Sequence, residues 1–270
     1  MPPRLWLGSA AFCSANLLMT AAAAAEPTAE YNFLGLPQAP LEGPIITDRP
    51  SFGDATVTVP YGRFLLESGY GYNQDGAEHV HNGAVLLLRA GLVPNLELRL
   101  GWDGYARAST GEEGSANTRL GLKIHALHEQ GLVPDLVVIP EFVIPTGDAD
   151  VAADEVEPEV RFAWSYALSP AIALGGNFNI AARDDAGSSR HRLEYAASLG
   201  GGYVLSERWS GYLEYFAIFR ESALGQETHS INTGIAYLIT DRLQLDAFIG
   251  GGLNEAADDV FGGFGISKLW

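Results

Sequence analysis

Hydrophobic and polar residues alternate with a period of two over most of this chain. Between residues 243 and 249 the odd-numbered positions are hydrophobic, whereas Gln244 and Asp246 lie on the other face. A period of two is typical of a β-strand with unlike faces. Polar residues 254–259 separate this run from a second one that ends at Trp270. The sequence therefore predicts a closing β-hairpin that ends at an aromatic residue.

The same alternation recurs from Gly62 to the end of the chain and predicts twelve strands. Each is long enough for a tilted strand that crosses a membrane, which takes about 9–11 residues. The predicted strands cover residues 62–73, 80–92, 95–107, 115–128, 135–145, 155–168, 171–183, 190–205, 208–220, 227–239, 242–252 and 258–270.

The connections between these strands alternate in length. After even-numbered strands the chain turns tightly, as at Val93–Pro94 and Ser169–Pro170. After odd-numbered strands the linkers are longer and acidic or glycine-bearing, as at residues 108–114 and 146–154. Outer-membrane barrels have short periplasmic turns and longer external loops. The sequence therefore predicts an all-β fold, a transmembrane antiparallel up-and-down β-barrel with both termini in the periplasm.

One face of the predicted strands is apolar and the other carries charges of both signs. In the third strand, Leu96, Leu98 and Leu100 alternate with Glu97 and Arg99. The alternative is an inverted, lipocalin-like soluble barrel with an apolar interior. Aromatic residues near strand ends on the apolar face are typical of membrane-interface girdles. These residues are Tyr70, Tyr72, Trp102, Trp164, Tyr166, Tyr203, Trp209, Phe219, Tyr237 and Trp270.

The charged face is expected to line a lumen. Twelve strands enclose a space between the filled interior of about eight strands and the open channel of about sixteen. Unpaired ionised groups in a dry interior would cost several kcal/mol each, so we expect pairs across strands, such as Glu67 with Arg89 and Glu97 with Arg119. The predicted lumen-lining residues are Arg63, Glu67, Arg89, Glu97, Arg99, Asp103, Arg119, Lys123, Glu141, Glu159, Arg161, Arg192, Glu194, Glu214 and Asp246.

The first 25 residues are typical of an export signal. Arg4 precedes an apolar run, and Ala23–Ala25 matches the small-residue pattern of a signal-peptidase site. We expect residues 1–25 to be removed, although an N-terminal helix is the alternative. Cys13 is the only cysteine, so the mature chain would form no disulfide. Without Arg4 the net charge is 15 − 33 = −18, which argues against a nucleic-acid partner.

Residues 26–61 are rich in proline and have little periodicity. We expect this irregular segment either to lie in the periplasm or to enter the barrel as a plug, with residues 62–270 forming the barrel. No run of about 18 apolar residues follows residue 25, so the sequence predicts no transmembrane helix.

Four stretches of the sequence resemble a single protein family. They are residues 46–72, 87–106, 134–148 and 233–259. The Asp-Arg-Pro at 48–50 and the Pro-Thr-Gly-Asp at 145–148 are their most distinctive parts. These stretches resemble the outer-membrane family described as "Putative MetA-pathway of phenol degradation". The resemblance implies an outer-membrane barrel that moves small, aromatic or hydrophobic molecules, and it assigns no individual site residues.

Two groups of residues resemble metal ligands. His79 and His81 share a strand face, but no third ligand follows at a clear spacing, so a solvated loop edge is the alternative. The loop 146–157 carries five carboxylates, as calcium sites do, but Ala152 and Ala153 stand where a helical calcium loop has a polar residue and glycine. We therefore predict no metal and no cofactor. Strand glycines such as those at 250–252 are expected to relieve crowding beside aromatic residues.

The sequence thus predicts a passive channel or transporter in the outer membrane of a Gram-negative cell. The expected partners are outer-membrane lipid, lipopolysaccharide, a small solute and the barrel assembly machinery, for which Trp270 is the candidate assembly residue. A structural or adhesive barrel without transport is the alternative. A lipid hydrolase is a further alternative, but His125, His191 and His229 lack a nucleophile-elbow sequence nearby. We therefore expect no enzyme.

Overall fold

The protein forms a closed, twelve-stranded antiparallel barrel in the computed structural model, which describes residues 30–184, 191–221 and 226–270. The predicted all-β fold is confirmed. The strands of the described residues are β1 (Glu30–Tyr31), β2 (Pro37–Gln38), β3 (Phe64–Asp75), β4 (Glu78–Val93), β5 (Leu96–Trp102), β6 (Tyr105–Ala108), β7 (Glu113–Ser115), β8 (Thr118–Leu127), β9 (Asp135–Ile144), β10 (Glu157–Ser169), β11 (Ile172–Asp184), β12 (His191–Val204), β13 (Trp209–Arg220), β14 (Thr228–Thr240), β15 (Leu243–Gly252) and β16 (Val260–Leu269).

The predicted third strand is interrupted, and β5 and β6 share its course along β4. At the break Gly104 has φ +88°, and a β-carbon there would lie 2.3 Å from the carbonyl oxygen of Gly83. Ala84 on β4 has φ 54°. An irregularity of this kind re-aims a strand without ending the ladder. The remaining predicted strands are confirmed, with bounds shifted by a few residues.

The C-terminal hairpin closes the barrel. Strand β15 pairs with β16, and β16 pairs with β3 from Val260 opposite Gln74 to Leu269 opposite Leu65. The Trp270 N–H donates to the carbonyl of Phe64 at 2.9 Å. The first and last long strands therefore leave no unpaired edge, and the hairpin predicted from the alternating pattern is confirmed.

The two faces of the barrel are as the sequence predicts. Apolar side chains such as Leu100, Leu213 and Ile249 are exposed on the outside, whereas the charged Arg89 and Glu97 are fully buried inside. The inverted, lipocalin-like alternative is therefore wrong. Four of the predicted girdle aromatics are exposed to about the same extent, and they are Tyr203, Trp209, Phe219 and Trp270.

The chain before β3 enters the barrel. Strands β1 and β2 form a separate two-stranded sheet, and after them the chain runs without regular structure to residue 63. Ile45 and Val59 pack against Leu65, Leu238 and Leu269 in a buried hydrophobic cluster. Among the described residues there is no helix with the length and hydrophobicity needed to cross a membrane.

Candidate functional site

Residues 45–59, here called the inner segment, lie inside the barrel and are held by wall side chains. The N–H groups of Asp48 and Arg49 donate to the carboxylate of Glu67 on β3, at 3.0–3.1 Å. Those of Phe52 and Gly53 donate to Glu214 on β13, at 2.8 and 2.9 Å. Because these strands stand on different sides of the barrel, the inner segment crosses its interior.

Two further contacts complete this attachment. The Asp54 N–H donates to Asn177 Oδ1 on β11 at 3.1 Å, and the Val59 N–H donates to Glu97 Oε2 on β5 at 2.7 Å. Six main-chain N–H groups between Asp48 and Val59 therefore donate to wall side chains, and at the start of the segment the Ile45 N–H donates to the main-chain carbonyl of Asp241 at 2.8 Å. The inner segment is bound without becoming an additional strand of the sheet.

Asp48 is the centre of a buried charge cluster. Its carboxylate lies 2.5 Å from Arg99 Nη1, 2.7 Å from Lys123 Nζ and 3.3 Å from Arg89 Nη1. Burial alone would raise the pKa of Asp48, but the positive charges of Arg89, Lys123 and Arg99 outweigh it and hold the pKa well below its usual range. Asp48 therefore ties the inner segment to three bases on strands β4, β5 and β8.

The acids of the wall bind the same bases. Arg89 donates to Glu67 Oε1 at 3.0 Å and to Glu97 Oε1 at 2.8 Å. The predicted pair of Glu67 with Arg89 is confirmed. The predicted pair of Glu97 with Arg119 is wrong, because the register places Lys123 opposite Glu97 and Gly101 opposite Arg119.

A second charge cluster lies nearer the long loops. Arg119 donates to Asp103 at 2.7 Å and to Glu141 at 3.4 Å, and Arg161 donates to Glu141 at 3.2 Å. Arg183 donates to Glu159 at 2.9 Å. The side chains of this second charge cluster alternate in charge from β8 to β11.

The remaining predicted lumen residues lie at the margins of these clusters. Glu194 receives hydrogen bonds from Arg183 and Arg220, at 2.9 and 2.8 Å. Arg63 binds Glu30 at 2.5 Å, near the short turns. Arg192 Nη1 lies 3.8 Å from Glu221 Oε2, and its side chain is about one-third exposed.

Asp246, the last predicted lumen residue, binds Arg49 of the inner segment. Arg49 Nη2 donates to Asp246 Oδ1 at 3.0 Å. Glycines make room for this side chain, since a β-carbon at Gly69 or Gly265 would lie 2.4 or 2.3 Å from the guanidinium. Gly265, on the closing strand β16, thus permits a contact between the wall and the inner segment.

Several interior residues were not predicted from the sequence. Asp48, Arg49 and Asp54 belong to a segment without periodicity, so alternation could not assign them to a face. Arg183 stands at the last position of a predicted strand, and Arg220 at the last position of another. The Asp-Arg-Pro motif at 48–50 is the sequence signal that marks the inner segment.

The space left beside the inner segment is small. A cavity of about 40 Å³ is bounded by residues that include Thr47, Asp54, Tyr212 and Glu214. A buried water needs roughly 10–15 Å³ of such volume, so this cavity has room for a few waters. A drug-sized solute occupies roughly 300–1,000 Å³ of pocket, so this cavity is too small for one.

The two groups whose sequence resembles metal ligands have other contacts. His81 Nδ1 lies 2.5 Å from the hydroxyl of Tyr70, and Asp148 accepts the Ser115 N–H at 2.7 Å. Within the described residues, the one three-residue group with converging metal ligands is a different one, formed by His125, His128 and Asp135.

The closed barrel, its apolar outer face and its ion-paired interior define an outer-membrane β-barrel protein. The chain belongs to the family described as "Putative MetA-pathway of phenol degradation", whose match spans residues 47–268. The resemblance of the four sequence stretches is thereby confirmed. Family and fold assign the protein to the bacterial outer membrane.

Solved porins share this fold. The NanC porin aligns with a TM-score of 0.52 and 8% identity over 76% of this chain and 98% of its own. The KdgM porin aligns with a TM-score of 0.50 and 10% identity over 76% and 98%. A second KdgM structure, "in complex with disordered oligogalacturonate", gives a TM-score of 0.50 at 9% identity, again over 76% and 98%. No curated protein matches the sequence.

Proposed function

We propose that the protein is a passive channel for small molecules, and that the inner segment closes it. One observation carries the proposal: apart from the bond of the Ile45 N–H to the Asp241 carbonyl, the main-chain N–H groups of the inner segment that reach the wall donate to side chains, while the barrel is held by its own main-chain ladder. The segment can therefore leave without breaking a strand pair. Its departure would open a polar passage lined by the fifteen charged residues predicted above.

The closed arrangement is stable but reversible on this account. A hydrogen bond to a charged group contributes about 1.5–3 kcal/mol, and several such bonds hold the inner segment. If the inner segment left and the interior stayed dry, the charged wall side chains that it had paired would be left unpaired, at a cost of several kcal/mol each. Water that enters the lumen as the segment leaves would solvate these charges, and neighbouring wall residues such as Arg89 and Glu97 would still pair.

Small aromatic molecules are the proposed solute class. Phe52 of the inner segment stacks on Phe216 of β13, with ring centroids 4.4 Å apart and planes at 2°. Phe261 of β16 packs edge-on against Phe216 at 5.8 Å. A β-carbon at Gly250 would meet the Phe261 ring at 2.3 Å, so the glycine makes room for it. An aromatic solute would take the place of Phe52, in keeping with the phenol named in the family description.

Planar-bilayer recording tests the channel directly. The purified full-length protein should show rare, small current steps, and a variant lacking residues 26–61 should conduct steadily, because its lumen lacks the inner segment. Heat-modifiable migration on gels should first show that both barrels are folded. If neither protein conducts or passes solute, the channel proposal fails and a structural or adhesive barrel is preferred.

We further propose transport without catalysis. The NanC and KdgM structures that share this fold are porins, and His191 and His229 contact the carbonyl of Val156 and the hydroxyl of Tyr215. Purified protein should not hydrolyse phospholipid or short-chain esters. Turnover that is lost in a His191→Ala or His229→Ala variant would contradict this part of the proposal.

A further inference from the structure

A compact group of two imidazoles and one carboxylate lies at the short-turn end of β8 and β9. His125 is near the end of β8, His128 follows that strand, and Asp135 opens β9. A register shift between His125 and Leu127 brings the residues on both sides of the turn together. The group is separate from the inner-segment contacts described above.

The three candidate ligand atoms converge on one point. His125 Nε2 lies 3.0 Å and His128 Nδ1 4.0 Å from Asp135 Oδ1, and one ligand atom from each of the three residues lies within 4.8 Å of those of the other two. Tetrahedral Zn²⁺ bound at 2.0–2.2 Å holds its ligands about 3.3 Å apart. Movements of less than about one ångström would therefore give these atoms the spacing of a zinc site.

Neighbouring groups hold the ligands in place. The N–H of Glu129 donates to Asp135 Oδ1 at 3.0 Å, and the N–H of His125 donates to the carbonyl of Asn95 at 2.9 Å. The first of these bonds orients the Asp135 carboxylate, as hydrogen bonds to ligating groups do in metal sites, and the second, made by the main chain, fixes the β8 backbone at His125. His125 and Asp135 are largely buried, whereas the His128 side chain is 43% exposed. A cation would therefore enter beside His128, and water would complete its coordination.

We propose that His125, His128 and Asp135 bind a divalent transition-metal cation, for which Zn²⁺ is the best match. Two neutral imidazoles and a carboxylate are ligands that zinc takes, with an open fourth position for water. Binding would link the end of β8 to the start of β9 across their turn. The proposal does not depend on the proposed channel function, because it uses none of the contacts that hold the inner segment.

Titration calorimetry with ZnCl₂ tests the site on full-length protein without an affinity tag, purified in detergent and treated with a chelator. One equivalent of Zn²⁺ should bind, and His125→Asn or His128→Asn should weaken binding by at least about tenfold. His128 is exposed, so its variant should keep the fold, and heat-modifiable migration would show this. Co²⁺ should give a visible absorption band that the same substitutions abolish.

The double variant His79→Asn/His81→Asn is the matched control, because it removes two histidines that lie elsewhere on the barrel. It should bind Zn²⁺ as the unchanged protein does. The proposal is overturned if the unchanged protein binds no Zn²⁺, if folded His128→Asn binds with unchanged affinity, or if the control variant loses the cation.

Discussion

At the residue scale, the closed state depends most on Asp48. The Asp48 carboxylate faces Arg89, Arg99 and Lys123. The main-chain N–H of Asp48 donates to the carboxylate of Glu67. The three bases could be assigned to the inner face from strand alternation alone. Their acidic partner could not, because Asp48 lies in a segment whose course is set by tertiary contacts rather than by a repeating pattern.

We expect Asp48→Asn to open the channel more often. A hydrogen bond to a charged group contributes about 1.5–3 kcal/mol, so open probability should rise about tenfold or more. The depressed pKa of Asp48 means that its stabilising contribution is fully present above the ordinary value of 3.8 and is lost as pH falls through the lower value of the closed state.

Bilayer recording at several pH values checks both parts of this prediction. The ratio of open probability between Asp48→Asn and the unchanged protein should be constant from about pH 7 to about pH 5, and should shrink only in stronger acid. If the ratio of open probabilities already decreases as the pH is lowered from about 7 to about 5, the assignment of Asp48 as an ionised anchor is contradicted.

Arg119 provides a test of ion preference. It is paired with Asp103 and Glu141 in the second charge cluster, so its loss leaves these acids less compensated. Arg119→Gln should shift the reversal potential measured in a salt gradient toward the equilibrium potential of the cation. The matched control is Arg107→Gln. Arg107 on β6 has a largely exposed side chain and pairs with Glu113 on β7. Equal shifts in both variants would contradict a luminal role for Arg119.

At the element scale, the sequence predicts the strands well because each has one face toward lipid and one toward a polar interior. That environment imposes a strict period of two. Two features escaped the pattern. The break at Gly104 depends on a close approach to Gly83, and the partner of Glu97 depends on a register that alternation does not determine. Both are set by contacts between strands rather than within one.

The orientation of the barrel remains a prediction with a direct test. Single cysteines at Thr110, Asp150 or Ala256 should react with an impermeant reagent on intact cells, because the long loops should face outward. Cysteines at Pro170, Glu207 or Asp241 should not react. Positions 187 and 224, also expected outside, lie beyond the described residues. The reverse labelling pattern would contradict periplasmic termini.

Trp270 is expected to matter for assembly as well as closure. Its N–H pairs with Phe64, and its side chain is partly exposed on the outer face. Trp270→Ala should lower the amount of heat-modifiable protein in the outer membrane several-fold, since the barrel assembly machinery is expected to recognise a terminal aromatic residue. Trp209→Ala, which removes another exposed tryptophan, is the control. Equal yields of folded protein from the two variants would argue against a special role for Trp270.

At the scale of the whole molecule, the closed barrel and the filled interior must be considered together. The sequence predicted a segment that either stays in the periplasm or enters the barrel, and composition could not decide between these. The interior contacts of Asp48, Phe52 and Asp54 come from strands far apart in sequence. Only their three-dimensional arrangement brings those acceptors around one segment, and this arrangement leads to the proposal of a channel that opens when the segment leaves.

A disulfide between the inner segment and the wall tests this proposal most directly. A β-carbon at Gly53 would lie 3.3 Å from Ser198 Oγ on β12, so a Gly53→Cys/Ser198→Cys pair is close enough to bond. The sole natural cysteine, Cys13, lies in the expected signal peptide. The oxidised double variant should show no conductance, and a reducing agent should restore the openings, while each single variant should be insensitive to it. Conductance that persists with the disulfide formed would contradict closure by the inner segment.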